Sequence, residues 1–259
     1  FKALVDTHAP ILPISMARLL VFAQHFTKVG RTPAIASCFL LPIPVNCAIL
    51  FAVMTYSFDD ALRRALLNNI DSFEDRRGAE EGLRHAAVSI VVVGADGEAA
   101  FILTKRSPRL NAHSGQFALP GGRVDEGETA LEAALREMRE EINVNLTSDH
   151  LMGTLDDYPT RSGYRITPFV FWADKEIKSK ANPSEVAIIY KVPFRELAHP
   201  EAPEFASIPE SDRPLIRLNI VNTQVHAPTA AVVYQFREVG IFGRNTRVEH
   251  LEQPVWAWS

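Results

Sequence analysis

The stretch Gly121-Gly-Arg-Val-Asp-Glu-Gly-Glu-Thr-Ala-Leu-Glu-Ala-Ala-Leu-Arg-Glu-Met-Arg-Glu-Glu-Ile142 leaves the chain few conformations. Two glycines after Pro120 let the backbone turn and approach its neighbours closely. From Thr129 the apolar residues recur with a helical period. At about 100° per residue, Leu131, Ala134, Leu135, Met138 and Ile142 share a face, which predicts a core-packed helix over Thr129–Ile142. Glu137, Glu140 and Glu141 share another face at i, i+3 and i+4, side by side. Like charges at that spacing cost about 0.2–0.5 kcal/mol per pair, and one lysine among them would remove the cost. A hard divalent cation, Mg²⁺ or Mn²⁺, reverses the sign, because oxygen ligands are what it prefers. Arg136 is spaced to pair with Glu140 or to reach Glu128, and a free carbonyl at Gly121 can complete a metal shell. A solvated, Glu/Arg-rich helix face is the alternative.

Charge distribution sharpens the choice. Seven acids against two bases between Asp125 and Glu141 put −5 there, which leaves +1 for the rest of a chain whose net charge is −4. So small a net charge announces no nucleic-acid partner. With 259 residues, 47% hydrophobic and 22% charged, the chain can bury a sizeable core without disulfides. Cys38 and Cys47 build neither a disulfide framework nor a zinc spacing, which favours a reducing, cytoplasmic setting.

Around the acidic helix, strand and helix signals alternate. Val88–Val93 is largely β-branched, Gly94-Ala-Asp-Gly97 is a turn and Ala99–Thr104 resumes as a strand, predicting a hairpin. Strands are predicted at Thr167–Trp172, Ile188–Val192 and Ile216–Val221, a helix over Thr229–Val239, and a last short strand near Val255–Trp258. This interleaving predicts an α/β fold with a mixed β-sheet between helices. Residues 86–259 read as one domain with its core at about 86–225, and residues 54–85 as a helical lead-in opened by a capping box at Ser57-Phe-Asp-Asp60. Residues 1–53 read as an N-terminal extension, with the working protein beginning near Met54. The apolar run at residues 35–53 has the length to cross a bilayer, but Pro42 and Pro44 damage a helix there. The extension is the preferred reading and a signal or membrane anchor the alternative.

In order, Gly122, five residues, Glu128, seven residues, Arg136, Glu137, the aliphatic Met138, any residue, Glu140 and Glu141 resemble the Nudix box. The glycine usual two places after the Glu pair is Asn143 here, which tolerates the left-handed conformation at a helix end. The resemblance implies a Nudix-type α/β/α sandwich, with metal held by Glu137, Glu140, Glu141 and the Gly121 carbonyl. Arg136, Glu128 and Gly122 support it, and the implied reaction is hydrolysis of a pyrophosphate. A carboxylate completes it as general base: Glu140, or Glu185 in Asn182-Pro-Ser-Glu-Val186. Glu185 equally reads as part of the first turn of a short helix.

Upstream, Leu103, Thr104, Arg106, Leu110, His113, Gly115, Gln116 and Pro120 are similar to the signature of coenzyme A pyrophosphatases. Asn111, Phe117 and Leu119 depart from it. With Thr160–Phe169 and Asn182–Val186, this likeness covers roughly Ala86 to Leu197. It implies a coenzyme A-type nucleotide as substrate, with Arg106, His113, Gly115 and Gln116 as binding residues. Lys105, Arg106 and Arg109 supply cations for its phosphates, and His113 also reads as a structural histidine. The alternatives are another nucleoside diphosphate derivative, such as ADP-ribose or an oxidised nucleotide, and a non-catalytic nucleotide sensor. A homodimer is left open.

Overall fold

The longest strand among the described residues, β1 (Arg84–Ala95), sits in the middle of the larger sheet. In the computed structural model, which describes residues 55–78, 82–110, 114–174 and 177–258, it joins β2 (Glu98–Arg106) through a two-residue turn. Asp96 and Gly97 both take positive φ, 52° and 79°, the backbone that a tight hairpin with right-handed twist demands. Further along the chain come β3 (Phe117–Ala118), β4 (Gly121–Arg123), β5 (Leu151–Thr154), β6 (Tyr158–Pro159), β7 (Tyr164–Trp172) and β8 (Val186–Pro193). These eight strands form one sheet. It is mixed: β1 runs parallel to β7 over nine residue pairs and antiparallel to β2 and β4.

Alternation along β1 gives the sheet two buried faces. Ala87, Val91 and Val93 turn to one, with Ala100, Ile102, Phe169 and Phe171, against Met138 and Ile142 of the helix α2 (Ala130–Ile142). Ile90 and Val92 turn to the other, with Phe101, Leu103 and Trp172. There they meet α1 (Asp60–Asp71), through Leu66 and Ile70, and, after the short α3 (Phe194–Ala198), α4 (Thr229–Phe236) through Phe236. Burying a side chain such as Met138 or Ile142 in full is worth about 1.5–3 kcal/mol. The result is a mixed sheet between helical layers, as the alternation of elements predicted.

A second, antiparallel sheet of β9 (Pro203–Ile208), β10 (Ser211–Ile220) and β11 (Thr223–His226) packs under α4. The tail then runs back along it, Glu252 pairing with Pro214 and Ile216 through the backbone.

Three expectations fail in detail. The N-cap of α1 is Asp59, whose carboxylate accepts from Leu62 N. Ser57 is drawn away into a bridge with Glu98. Val255–Ala257 is a 3₁₀ turn, not a strand, closed by Ala257 N–H donating to the Pro254 carbonyl. The helix over Thr229–Val239 leaves α geometry at Arg237 for a π-turn that runs to Ile241. The apolar run at residues 35–53 lies outside the described residues. Among those described, no helix is long and apolar enough to cross a membrane.

Candidate active site

Thr129 opens α2 with a capping box, its hydroxyl accepting from Glu132 N while the Glu132 carboxylate accepts from Thr129 N. Asn143 closes it in the left-handed region, φ 54° and ψ 35°, as its sequence position predicted. Between these caps Ala133, Ala134, Met138 and Ile142 are buried; Leu131 and Leu135, expected among them, lie half-buried at the rim. Glu141 is buried beside Met138 and Ile142, with 4% of its surface exposed.

Arg136 spends every donor on this region. Nε and Nη2 grip Glu128 at 2.9 and 3.0 Å, Nη2 also reaches the Arg123 carbonyl at 3.1 Å, and Nη1 meets Glu137 at 2.8 Å and Glu140 at 3.3 Å. A guanidinium has five N–H groups in a fixed fork, so these bonds fix the angle of Glu137. The fork holds Glu128 well below the usual carboxylate range.

The carboxylates that gather are Glu137, Glu141 and Glu185, one oxygen from each lying within 4.8 Å of the others. Glu140 is not in this group. It is half exposed and turned to Arg136, one helical step round from Glu141. The third acid comes from a turn, not from the first turn of a helix. Asn182 organises that turn: its N–H donates to the Glu141 carbonyl at 2.8 Å, its Nδ2 to Glu185 Oε1 at 3.3 Å, and its carbonyl accepts from Glu185 N. Ser107 N donates to the Glu185 carbonyl, joining the turn to the end of β2.

Burial pushes Glu141 up to about 8, aided by Glu137 and Glu185, against the pull of Gly121 N–H and Arg106. It also raises Glu137 against the pull of Arg136. Three acids from two elements, two of them desolvated, form a donor set that suits a hard divalent cation. The glycines make room for them. A Cβ on Gly122 would sit 2.2 Å from Glu137 Oε1, and one on Gly121 2.2 Å from the Ala87 carbonyl. Gly121 N–H donates to Glu141 at 3.2 Å.

Of the residues assigned to the substrate, Arg106 lies at this group, 3.7 Å from Glu141, its buried Nε without a partner. The Gln116 carbonyl accepts from Arg106 N, and Gly115 turns at φ 70°. His113 lies outside the described residues. Lys105 points the other way, over the Phe117 ring at 5.7 Å. Successive residues of a strand face opposite sides, so Lys105 and Arg106 do not converge as the loop cluster suggested.

Fold and donor set together define an α/β/α protein with a carboxylate centre on one helix and one turn. The chain belongs to the Nudix family: residues 83–212 match the NUDIX domain. It is 38% identical over 113 residues to a Yersinia enterocolitica protein named "Uncharacterized Nudix hydrolase NudL", a match covering 43% of this chain and 57% of that one. It is 35% identical over 137 residues to "Nudix hydrolase 3" of Caenorhabditis elegans, covering 51% of this chain and 57% of the relative. The chain thus spans under two thirds of the relatives it matches. A solved MutT/nudix family protein from Enterococcus faecalis aligns with TM-score 0.42 and 13% identity over 62% of this chain and 64% of that one.

Proposed function

We propose that this chain cleaves the diphosphate of coenzyme A or an acyl-coenzyme A, releasing 3′-phosphoadenosine 5′-phosphate and a phosphopantetheine. The observation that carries the hydrolase reading is the crowding of Glu137, Glu141 and Glu185 within 4.8 Å. Carboxylate oxygens gathered this closely are the ligand type that a hard divalent cation prefers. Those three acids would hold Mg²⁺ or Mn²⁺, with Glu140 and the Gly121 carbonyl as further candidate ligands. When bound, the cation neutralises diphosphate oxygens and acidifies water.

The chain's own residues do the rest. Arg136 and Glu128 keep Glu137 aimed at the centre, and Asn182 does the same for Glu185. In the reaction a water oxygen bonds to one phosphorus while the bridging oxygen leaves with the electron pair of the broken P–O bond. The proton from water passes to a carboxylate, for which Glu140 and Glu185 are the candidates. Arg106, 3.7 Å from Glu141, would take a phosphate oxygen in a bidentate fork. The coenzyme A assignment rests on the signature from Leu103 to Pro120. Divergence of Lys105 and Arg106 favours the second reading, another nucleoside diphosphate derivative such as ADP-ribose. Two cysteines without a pairing framework favour a reducing compartment, and we place the reaction in the cytoplasm.

A panel of coenzyme A, acetyl-coenzyme A, ADP-ribose and 8-oxo-dGTP, assayed with Mg²⁺ and Mn²⁺, separates these readings. Coenzyme A is expected to have the highest kcat/KM; faster turnover of ADP-ribose overturns the assignment. Glu141→Gln is expected to lower kcat by about 10²-fold and weaken Mn²⁺ binding in calorimetry. It should leave the melting temperature level or higher, because a carboxyl that burial penalises is replaced by a neutral amide of the same shape. Unchanged turnover in that variant removes the cation site from the reaction.

A further inference from the structure

The mirror image of the acid group lies on the other face of the sheet. In the parallel register Arg84 pairs with Tyr164, and in the antiparallel one Ala86 pairs with Arg123. Alternate residues share a face, so Arg84, Tyr164 and Arg123 stand together on the side away from α2. The Arg84 guanidinium lies 4.0 Å from the centre of the Tyr164 ring and that of Arg123 5.5 Å from it. Arg84 Nη2 donates to the Ser162 carbonyl at 3.0 Å, which holds it on the hairpin between β6 and β7.

Neighbouring arginines are neutralised. Arg161 pairs with Glu252, and Arg77 and Arg165 share the buried Asp157. Among the described residues no carboxylate pairs with Arg84 or Arg123. Two guanidiniums against one ring, with no carboxylate on either among the described residues, offer charge-assisted donors to a dianion. Their place matters as well. Arg123 directly follows Gly122, whose bare Cα faces Glu137, and its carbonyl is held by Arg136. Consecutive Cα atoms are about 3.8 Å apart, so Arg123 leaves the three-residue β4 one residue from the glycine that Glu137 faces.

We propose that Arg84, Arg123 and Tyr164 form a second anion site, which takes a phosphomonoester carried by the substrate away from the diphosphate that is cut. The site deepens the function proposed above: on a coenzyme A-type substrate the group is the 3′-phosphate, and the two arginines select substrates that carry it. Tyr164 lies against both guanidiniums and offers its ring edge to the sugar.

The test compares coenzyme A with 3′-dephospho-coenzyme A in the wild type, Arg84→Met and Arg123→Met, variants that keep the apolar stem and lose the charge. The wild type is expected to favour coenzyme A by tenfold or more in kcat/KM, mainly through KM, and each variant to shrink that ratio at least fivefold. A ratio held within twofold in both variants overturns the site while the hydrolase reading stands. Hydrolysis of neither compound sinks the coenzyme A reading, and calorimetry with 3′-phosphoadenosine 5′-phosphate against AMP then decides on the site. A wild-type preference for the former that both variants lose supports it; equal binding of the two, or a preference the variants keep, overturns it. Thermal melting of each variant confirms the fold.

Discussion

Gly122 is glycine because of what it faces. Its missing side chain leaves the space that Glu137 Oε1 occupies, and the atom in the way is the mobile end of a side chain, not backbone. Gly122→Ala is therefore expected to fold with a melting temperature within a few degrees of the wild type while displacing Glu137 from its bond to Arg136. Turnover should fall about tenfold or more, the scale on which misplaced ligand supports act. Steady-state kinetics beside a melting curve read both; a fall in stability with turnover intact would contradict this account. Gly121 differs. A Cβ there meets the Ala87 carbonyl at 2.2 Å, so the same substitution is expected to cost stability by prying β4 from β1.

At the scale of elements, the site is a helix completed by a turn. Asn182 has two tasks that one substitution separates. Asp in its place still accepts from Ser184 N and Oγ, as Asn182 Oδ1 does at 3.2 and 2.6 Å, but cannot donate to Glu185. Asn182→Asp is expected to lower kcat about tenfold with KM nearly unchanged, and Asn182→Ala to lower both kcat and the melting temperature. Equal kcat in the Asp variant and wild type would mean Glu185 needs no such guide. The helix was the most legible part of the sequence, because capping, period and charge spacing at Thr129–Asn143 are local properties. The same spacing suggested Glu137, Glu140 and Glu141 as neighbours. A helix cannot announce which of its acids a distant turn will meet, so the grouping of Glu185 with Glu137 and Glu141 had to come from tertiary structure. The short β5, β9 and β11 left no readable pattern. The run at Val255 carried strand-forming residues, yet Pro254 and the exposure of Trp256, 51%, set a turn.

At the scale of the whole molecule, contacts between remote segments join the site to the rest. No motif links residues 84, 123 and 164; only sheet register does, and register is written in packing that one chain's sequence does not display. The tail is tied in likewise. Glu252 is buried, and although burial alone would raise it, Arg161, Ser211 and Gln253 N–H hold it down at about 2. A carboxyl lowered from an ordinary 4.5 contributes stability above that value and loses it as pH falls toward 2. Arg161→Ala is expected to cost about 1.5–3 kcal/mol in urea unfolding near neutral pH, with the gap to wild type closing through that acid window. A gap constant with pH would show that Arg161 acts through its stacking on Trp258 and not through charge.

Two of the gathered acids ride one rigid helix and the third arrives on a turn hooked to that helix's end by Asn182. The centre thus resembles a vice with two unlike jaws: α2 fixes the spacing of Glu137 and Glu141, and the turn fixes how far Glu185 stands from them. Mg²⁺ takes oxygens at about 2.0–2.1 Å and Ca²⁺ at about 2.3–2.6 Å, so in the proposed metal centre a shift of the turn would change the preference between ions without any change in the acids themselves.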